Sequence, residues 1–204
     1  MMPNTRHVAI GAAAAFVAFA VWVLGGWSHG LVLTITDDIV FIVLAIVAAI
    51  FVAMAARSSE GRQRAAWLCL LVGVVGWGAG DVIWTYYELA LNIAPFPSPA
   101  DAAYLLLPVG ACLALMLFPK DYSGQSRGRI FLDGVIVAAS LLLVSWVTVL
   151  GPVYEAGAPD RLSFFVSLAY PVSDLVILTV AAVVLVRAGS EQRLSLTLLT
   201  LGLV

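Results

Sequence analysis

Residues 65–90 read AAWLCLLVGVVGWGAGDVIWTYYELA, and the first charged side chain among them is Asp81. An α-helix rises about 1.5 Å per residue and needs about 20 apolar residues to cross the hydrocarbon layer of a bilayer. The stretch exceeds that length and therefore predicts a membrane-spanning helix.

The composition of the whole chain agrees with this prediction. Of 204 residues, 63% are apolar and 11% are charged, and the formal net charge is −2. Soluble domains are about one quarter charged, and disordered or nucleic-acid-binding chains need a high net charge and few apolar residues. The composition excludes these classes, so we expect the lipid bilayer as the principal partner and no nucleic acid.

Six stretches are long and apolar enough to cross a bilayer, which predicts an all-α, polytopic membrane helix bundle. The six predicted helices cover about residues 8–28, 38–56, 65–90, 99–118, 130–150 and 162–186. A seventh apolar run, 194–204, reaches only about 16 Å as a helix and is expected to be truncated. We therefore expect residues 1–204 to form a single transmembrane helical domain at the N-terminal end of a longer protein.

The basic residues predict the orientation of these helices, because Lys and Arg are retained on the cytoplasmic side of a membrane. With six alternating spans, nine of the ten basic residues lie on one side and only Arg161 on the other. This pattern predicts a cytoplasmic N-terminus. The nine residues on the cytoplasmic side are Arg6, Arg57, Arg62, Arg64, Lys120, Arg127, Arg129, Arg187 and Arg193.

Glycines in the third predicted helix form one stripe. Gly73, Gly76 and Gly80 follow the spacing i, i+3, i+7, so they share a helix face. Stripes of small residues let helix backbones approach closely in a membrane. We interpret this stripe as a surface for helix packing, with a hinge or the wall of a cleft as the alternative.

The beginning of the fourth predicted helix carries a capping pattern. Ser98 fits the N-cap, Pro99 the first helical position and Asp101 the third, where a carboxylate accepts a backbone hydrogen bond. Capping alone accounts for these three residues.

Two carboxylates lie deep in apolar helices and are the strongest functional candidates. Neither Asp81 nor Asp174 has a Lys or Arg in its own span. An ionised carboxylate there costs at least about 2.5 kcal/mol, so each must be protonated, hydrogen-bonded or hydrated. Either they join helices as neutral hydrogen-bonding groups, or they line a pocket for a proton, a cation or a small amphipathic ligand. The other candidate residues of that pocket are Trp84, Tyr87, Glu88, Tyr104 and Tyr170.

Known catalytic and cofactor-binding motifs do not occur in the sequence. It contains no Gly-rich phosphate loop, nucleophile elbow, paired-Cys metal spacing or HExxH. We therefore predict no catalytic residue, no metal site and no cofactor within residues 1–204.

Four short motifs together resemble a known membrane region. They are Gly80–Trp84 (GDVIW), Pro97–Tyr104 (PSPADAAY), Asp133 and Tyr170–Asp174 (YPVSD). The region they resemble is the N-terminal multi-spanning sensor part of actinobacterial diguanylate cyclase and phosphodiesterase proteins of the GGDEF and EAL types. The resemblance covers residues 60–204.

The resemblance implies a sensor in the bacterial cytoplasmic membrane. It implies that a cyclic-di-GMP signalling domain follows these residues in the cytoplasm, where it would join two copies as a homodimer. These residues contain neither a GGDEF signature nor an EAL-type metal site, so any enzymatic activity would belong to the following domain.

Three hypotheses for the function remain open. The first is a membrane sensory module for signal transduction. The second is a small secondary transporter or channel, because such proteins also carry carboxylates within the membrane. No helix shows a convincing central break in its sequence, which speaks against this hypothesis. The third is a structural membrane protein.

Overall fold

The computed structural model describes residues 21–22, 25, 30–118 and 127–187, with the backbone alone for 127–131, 133 and 185–187. Every regular element in these ranges is helical, which confirms the predicted fold class at the level of an all-helical chain. Most of the predicted helix 8–28, the truncated helix 194–204 and the N-terminus lie outside the described residues. The count of six helices and a truncated seventh stays a prediction.

Five helices in the described part of the chain are long and apolar enough to cross a membrane. Helix α1 is Leu31–Arg57, α2 is Gly61–Ala90, α3 is Pro99–Leu117, α4 covers residues 127–156 and α5 is Arg161–Arg187. Contacts divide the chain into two units, Met1–Val40 and Phe41–Val204, and the packing described below lies within the second unit.

Three helices extend beyond the bounds predicted from hydropathy. Helix α1 begins at Leu31 rather than at 38, and α2 begins at Gly61 rather than at 65. Helix α4 continues through a π-helical turn, Trp146–Leu150, to Ala156 rather than ending at 150. Polar residues at the ends of these helices lower the local hydropathy, but they adopt helical backbone angles as readily as apolar residues do. Hydropathy therefore underestimates the lengths of these helices.

Helix α3 is interrupted at Leu105, between Pro99–Tyr104 and Leu106–Leu117. Pro108 explains the interruption, because a proline has no N–H for the carbonyl four residues earlier, at Tyr104, and its ring crowds that carbonyl. The expectation that no helix has a central break is therefore wrong for α3.

Helices α2 and α3 pack antiparallel along the glycine stripe. A Cβ atom placed on Gly73 would lie 3.0 Å from the Leu107 Cα, and one placed on Gly76 would lie 2.7 Å from the Leu106 Cβ. Both distances are shorter than ordinary carbon contacts. The absence of side chains at these positions therefore permits the close approach of the two helices.

Helix α5 runs parallel to α3 on the side away from this stripe. Near the beginnings of the two helices, Tyr170 donates a hydrogen bond to Asp101, and towards their ends Leu115 packs with Ala181 and Val184. Because α3 and α5 run in the same direction, the chain must return to the starting end between them, and α4 makes this return.

Helix α5 begins with a hydrogen-bonded cap. Asp160 Oδ1 accepts from the Ser163 backbone N–H at 2.9 Å, and the Ser163 hydroxyl donates to Oδ2 at 2.6 Å. The hydrogen bonds from the Ser163 side chain and backbone lower the pKa of Asp160. An ionised carboxylate at this position also complements the positive end of the helix dipole.

Candidate functional site

A cavity of about 420 Å³ lies between α1, α2, α3 and α5 and is open rather than enclosed. Helix α1 contributes Phe41 and α2 contributes Trp77 and Asp81. The contributions of α3 are Tyr104, Leu105, Leu107 and Pro108, and those of α5 are Tyr170, Ser173, Asp174 and Ile177. Four of the seven residues predicted for the pocket are thus brought together: Asp81, Tyr104, Tyr170 and Asp174.

These four residues all lie between one end of the helix pack and the middle of their helices. Counted from Ala90, Pro99 or Arg161, the nearest ends of their helices, they lie about 8 to 20 Å along the helix axes at 1.5 Å per residue. The sequence could predict this grouping, because the depth of a residue in a helix follows directly from its position in the chain.

The first polar contact of the cavity joins α2 to α3. The Tyr104 hydroxyl donates to Asp81 Oδ1 at 3.0 Å. The Tyr104 ring lies against the bare backbone of Gly80, where an added Cβ would be 2.7 Å from the ring carbons Cδ1 and Cε1. Gly80 therefore makes room for the tyrosine that holds the neighbouring carboxylate.

The second polar contact joins α5 to the beginning of α3. The Tyr170 hydroxyl donates to Asp101 Oδ1 at 2.6 Å. Asp101 is buried, with 8% of its surface exposed, and its Oδ2 accepts from the backbone N–H and the hydroxyl of Ser98 at 2.6 and 3.1 Å. Pro99 occupies the first turn of this capped helix. Asp101 therefore both caps α3 and binds α5, a second role that the capping pattern did not reveal.

Asp174 differs from these two aspartates. It is exposed in the wall of the cavity, and within the described residues its carboxylate has neither a hydrogen bond nor an ion pair. Its helix is long and apolar enough to cross a membrane. A carboxylate at that depth is stabilised only by a proton, by water or by a bound group, so Asp174 is the side chain of the cavity that is open to a ligand.

An aromatic pair that the sequence interpretation missed completes the wall. The rings of Phe41 and Trp77 meet edge to face, with centroids 5.8 Å apart and an angle of 81° between their planes. Trp77 precedes Asp81 by four residues, so helical spacing already placed it on the Asp81 face. No comparable signal existed for Phe41, because its position depends on how α1 packs against α2.

Three predicted pocket residues do not line the cavity. The Trp84 indole donates to Glu88 Oε2 at 2.9 Å, so these two residues pair with each other along α2. Tyr87 contacts Tyr86, with ring centroids 6.2 Å apart. Trp84 and Glu88, four residues apart on α2, therefore form a local pair instead of lining the cavity.

The side chains of the cavity limit its chemistry. The described residues that line it include two carboxylates, four aromatic rings and no Lys, Arg or His. Among the described residues, no group of three or more His, Cys, Asp and Glu side chains is arranged to hold a metal ion. The site is therefore suited to an uncharged or positively charged occupant rather than to an anion.

No protein-family model matches the sequence, and none of the curated proteins or solved structures compared with it gives a match. The function therefore has to be inferred from the cavity and its side chains.

Proposed function

We propose that the chain is the membrane-embedded sensory module of a bacterial signal-transduction protein and that the cavity receives its signal. The observation that carries this proposal is that residues from four helices line one cavity. An occupant of the cavity contacts all four helices at once, so its binding favours one arrangement of them.

The two tyrosine–aspartate hydrogen bonds provide a route for the response. One joins α2 to α3 and the other joins α3 to α5, and both tyrosines line the cavity. A ligand shifts a conformational equilibrium only by binding one arrangement more tightly than the other. An occupant that displaces either tyrosine would shift the equilibrium, because it would break the hydrogen bond that holds one helix to its neighbour.

The proposed output is a cyclic-di-GMP signalling domain on the cytoplasmic side, joined to a second copy as a homodimer. Support comes from the motifs that carry the resemblance to diguanylate cyclase and phosphodiesterase sensor regions. Asp81, Tyr104, Tyr170 and Asp174 belong to three of those motifs, and all four line the cavity. Motif residues that share one cavity are expected of a region whose function is to bind a signal.

The test measures cyclic-di-GMP in cells that produce the full-length protein, with and without candidate stimuli. We expect Asp81→Asn and Asp174→Asn to change the basal level or to abolish the response. Glu155→Gln, which removes an exposed carboxylate outside the cavity, serves as the matched control and should behave as wild type. An unchanged response of both cavity variants to every stimulus would contradict the proposal.

A secondary transporter is the second candidate, and the interruption of α3 favours it. Substrate sites of transporters are often formed at discontinuous helices, and Leu105 and Pro108 lie in the cavity wall. Uptake by proteoliposomes that is saturable and lost in Asp174→Asn would favour transport over sensing.

A further inference from the structure

We infer that the cavity binds a monovalent, amphipathic organic cation, with Asp174 as its counter-ion and aromatic side chains around its apolar part. This inference rests on the proposed function and deepens it, because it names the chemical class of the ligand for the same cavity.

The charge of the ligand follows from the groups that face Asp174. Among the described residues, the titratable side chains that line the cavity are Asp81, Tyr104, Tyr170 and Asp174, and none of the lining side chains is basic. Tyr104 already donates to Asp81 and Tyr170 to Asp101. Within the described part of the chain, Asp174 is thus the cavity carboxylate without a protein partner, and one positive charge neutralises it.

The size of the cavity indicates an organic cation rather than a proton. A volume of about 420 Å³ lies within the range of about 300 to 1,000 Å³ found for small-molecule pockets. A water molecule occupies about 30 Å³ in the liquid, so a proton or a single metal ion would leave most of this space unused. Among the described residues, no group of three or more His, Cys, Asp and Glu side chains could hold a metal ion, which also favours an organic cation.

The walls indicate that the ligand has an apolar body. Trp77 and Phe41 present an edge-to-face pair, and the remaining surface comes mainly from leucine, isoleucine and proline side chains. The faces of Trp and Tyr rings attract cations, most strongly where water is excluded. An alkyl- or aryl-ammonium ion satisfies both features, since its charge can lie by Asp174 and its apolar part against the rings.

Direct binding to the purified full-length protein in lipid nanodiscs tests this inference. The probes are octyltrimethylammonium, 1-octanol and octanesulfonate, which share one alkyl chain and differ in the charge of the head group. Equilibrium dialysis with the labelled cation, corrected with empty nanodiscs, gives binding to the protein apart from partitioning into lipid. We expect saturable binding of one cation per protein, without displacement by equal concentrations of the alcohol or the sulfonate.

Variants connect this binding to the named side chains. Asp174→Asn should weaken cation binding by about tenfold or more, because the counter-ion is lost. Trp77→Leu, which keeps the carboxylate, should weaken it about threefold or more through the loss of the ring. Glu155→Gln should bind as wild type does, and thermal unfolding of each variant identifies those that are folded.

Several outcomes would overturn the inference. The first is displacement of the labelled cation by 1-octanol as effectively as by unlabelled cation. The second is tighter binding of octanesulfonate than of the cation. The third is undiminished cation binding in an Asp174→Asn protein that is folded. Failure of the inference is distinguishable from failure of the sensory function. If the wild-type protein binds no cation but the cavity variants alter the cyclic-di-GMP response, only the ligand class is rejected. If the wild-type protein binds the cation but both cavity variants respond to every stimulus as wild type does, only the sensory function is rejected.

Discussion

Three aspartates in apolar helices of this chain are accommodated in three different ways. Asp81 accepts a hydrogen bond from Tyr104 of the neighbouring helix. Asp101 is buried at a helix N-terminus, where Ser98 and Tyr170 satisfy its oxygens. Asp174 faces the cavity and has no protein partner in the part of the chain that the structure describes. Asp174 is therefore the one of these three aspartates that is accessible to water or to a ligand.

The Tyr170 hydroxyl should contribute measurably to the stability of the protein. Tyr170→Phe keeps the ring but removes the 2.6 Å hydrogen bond to Asp101. Interhelical hydrogen bonds in membranes contribute about 0.6 to 2 kcal/mol, and bonds to charged groups lie at the upper end of the usual range. We expect Tyr170→Phe to lower the free energy of unfolding by about 1 kcal/mol, measured by reversible unfolding in mixed detergent micelles.

Tyr154→Phe is the matched control, because the Tyr154 ring packs on Trp146 and Phe164 while no protein group bonds its hydroxyl in the described structure. Its free energy of unfolding should stay within about 0.5 kcal/mol of wild type, as is usual for surface substitutions. Equal losses in the two variants would show that the bond to Asp101 contributes nothing specific.

Between elements, close contact of α2 and α3 depends on glycine in both helices. Gly110 of α3 lies against the Cys69 carbonyl of α2, and an added Cβ would be 2.5 Å from that oxygen. Because the obstacle is backbone rather than a flexible side chain, the helices must separate to admit a methyl group. Overpacking of this kind typically costs about 1 to 3 kcal/mol. We therefore expect Gly110→Ala to lower the thermal midpoint of the protein in detergent.

Gly134→Ala in α4 is the control for helix propensity. Its added Cβ would lie 3.5 Å from Val183 Cγ2, an ordinary van der Waals distance. Alanine is a better helix former than glycine by about 1 kcal/mol, so this variant should be as stable as wild type or more stable. A Gly110→Ala protein that behaves like Gly134→Ala would mean that the α2–α3 contact tolerates separation.

Hydropathy predicted the helices of this chain better than it predicted their internal irregularities. The predicted stretches 65–90 and 162–186 differ from α2 and α5 by at most four residues at either end. The break at Leu105 was missed although Pro108 was visible in the sequence. A proline does not by itself decide the outcome, because Pro171 lies inside α5 and that helix continues without interruption.

The sequence predicted those residues of the candidate site whose membership depends only on their depth in the membrane. Asp81 and Asp174 were found because a carboxylate is conspicuous among apolar residues, and counting along helices placed Tyr104 and Tyr170 near them. Whether a side chain faces the cavity depends on how each helix is rotated against its neighbours. A single sequence does not contain that information, which is why Glu88 was included and Phe41 was not.

For the whole molecule, the contacts between helices place most of the described basic residues at one end of the helices. Helices α2 and α3 are antiparallel, α3 and α5 are parallel, and α4 returns the chain between them. Arg57, Arg62 and Arg187 therefore lie at helix ends opposite to the one that carries Arg161. Arg62 also donates from Nη2 to the Met116 carbonyl at 3.0 Å, which satisfies a carbonyl near the end of α3.

This arrangement makes a prediction about topology in cells. Basic residues are retained in the cytoplasm, so the connection at Ser58 should be cytoplasmic, whereas those at Asn92 and Ala158 should be external. Single cysteines at these positions, in a chain whose Cys69 and Cys112 are replaced by alanine, can be tested with a membrane-impermeant maleimide. Asn92→Cys and Ala158→Cys should be labelled in intact cells, and Ser58→Cys only after permeabilisation. Labelling of Ser58→Cys in intact cells would invert the orientation and place the cavity, which lies nearer the other end, in the cytoplasmic half of the membrane.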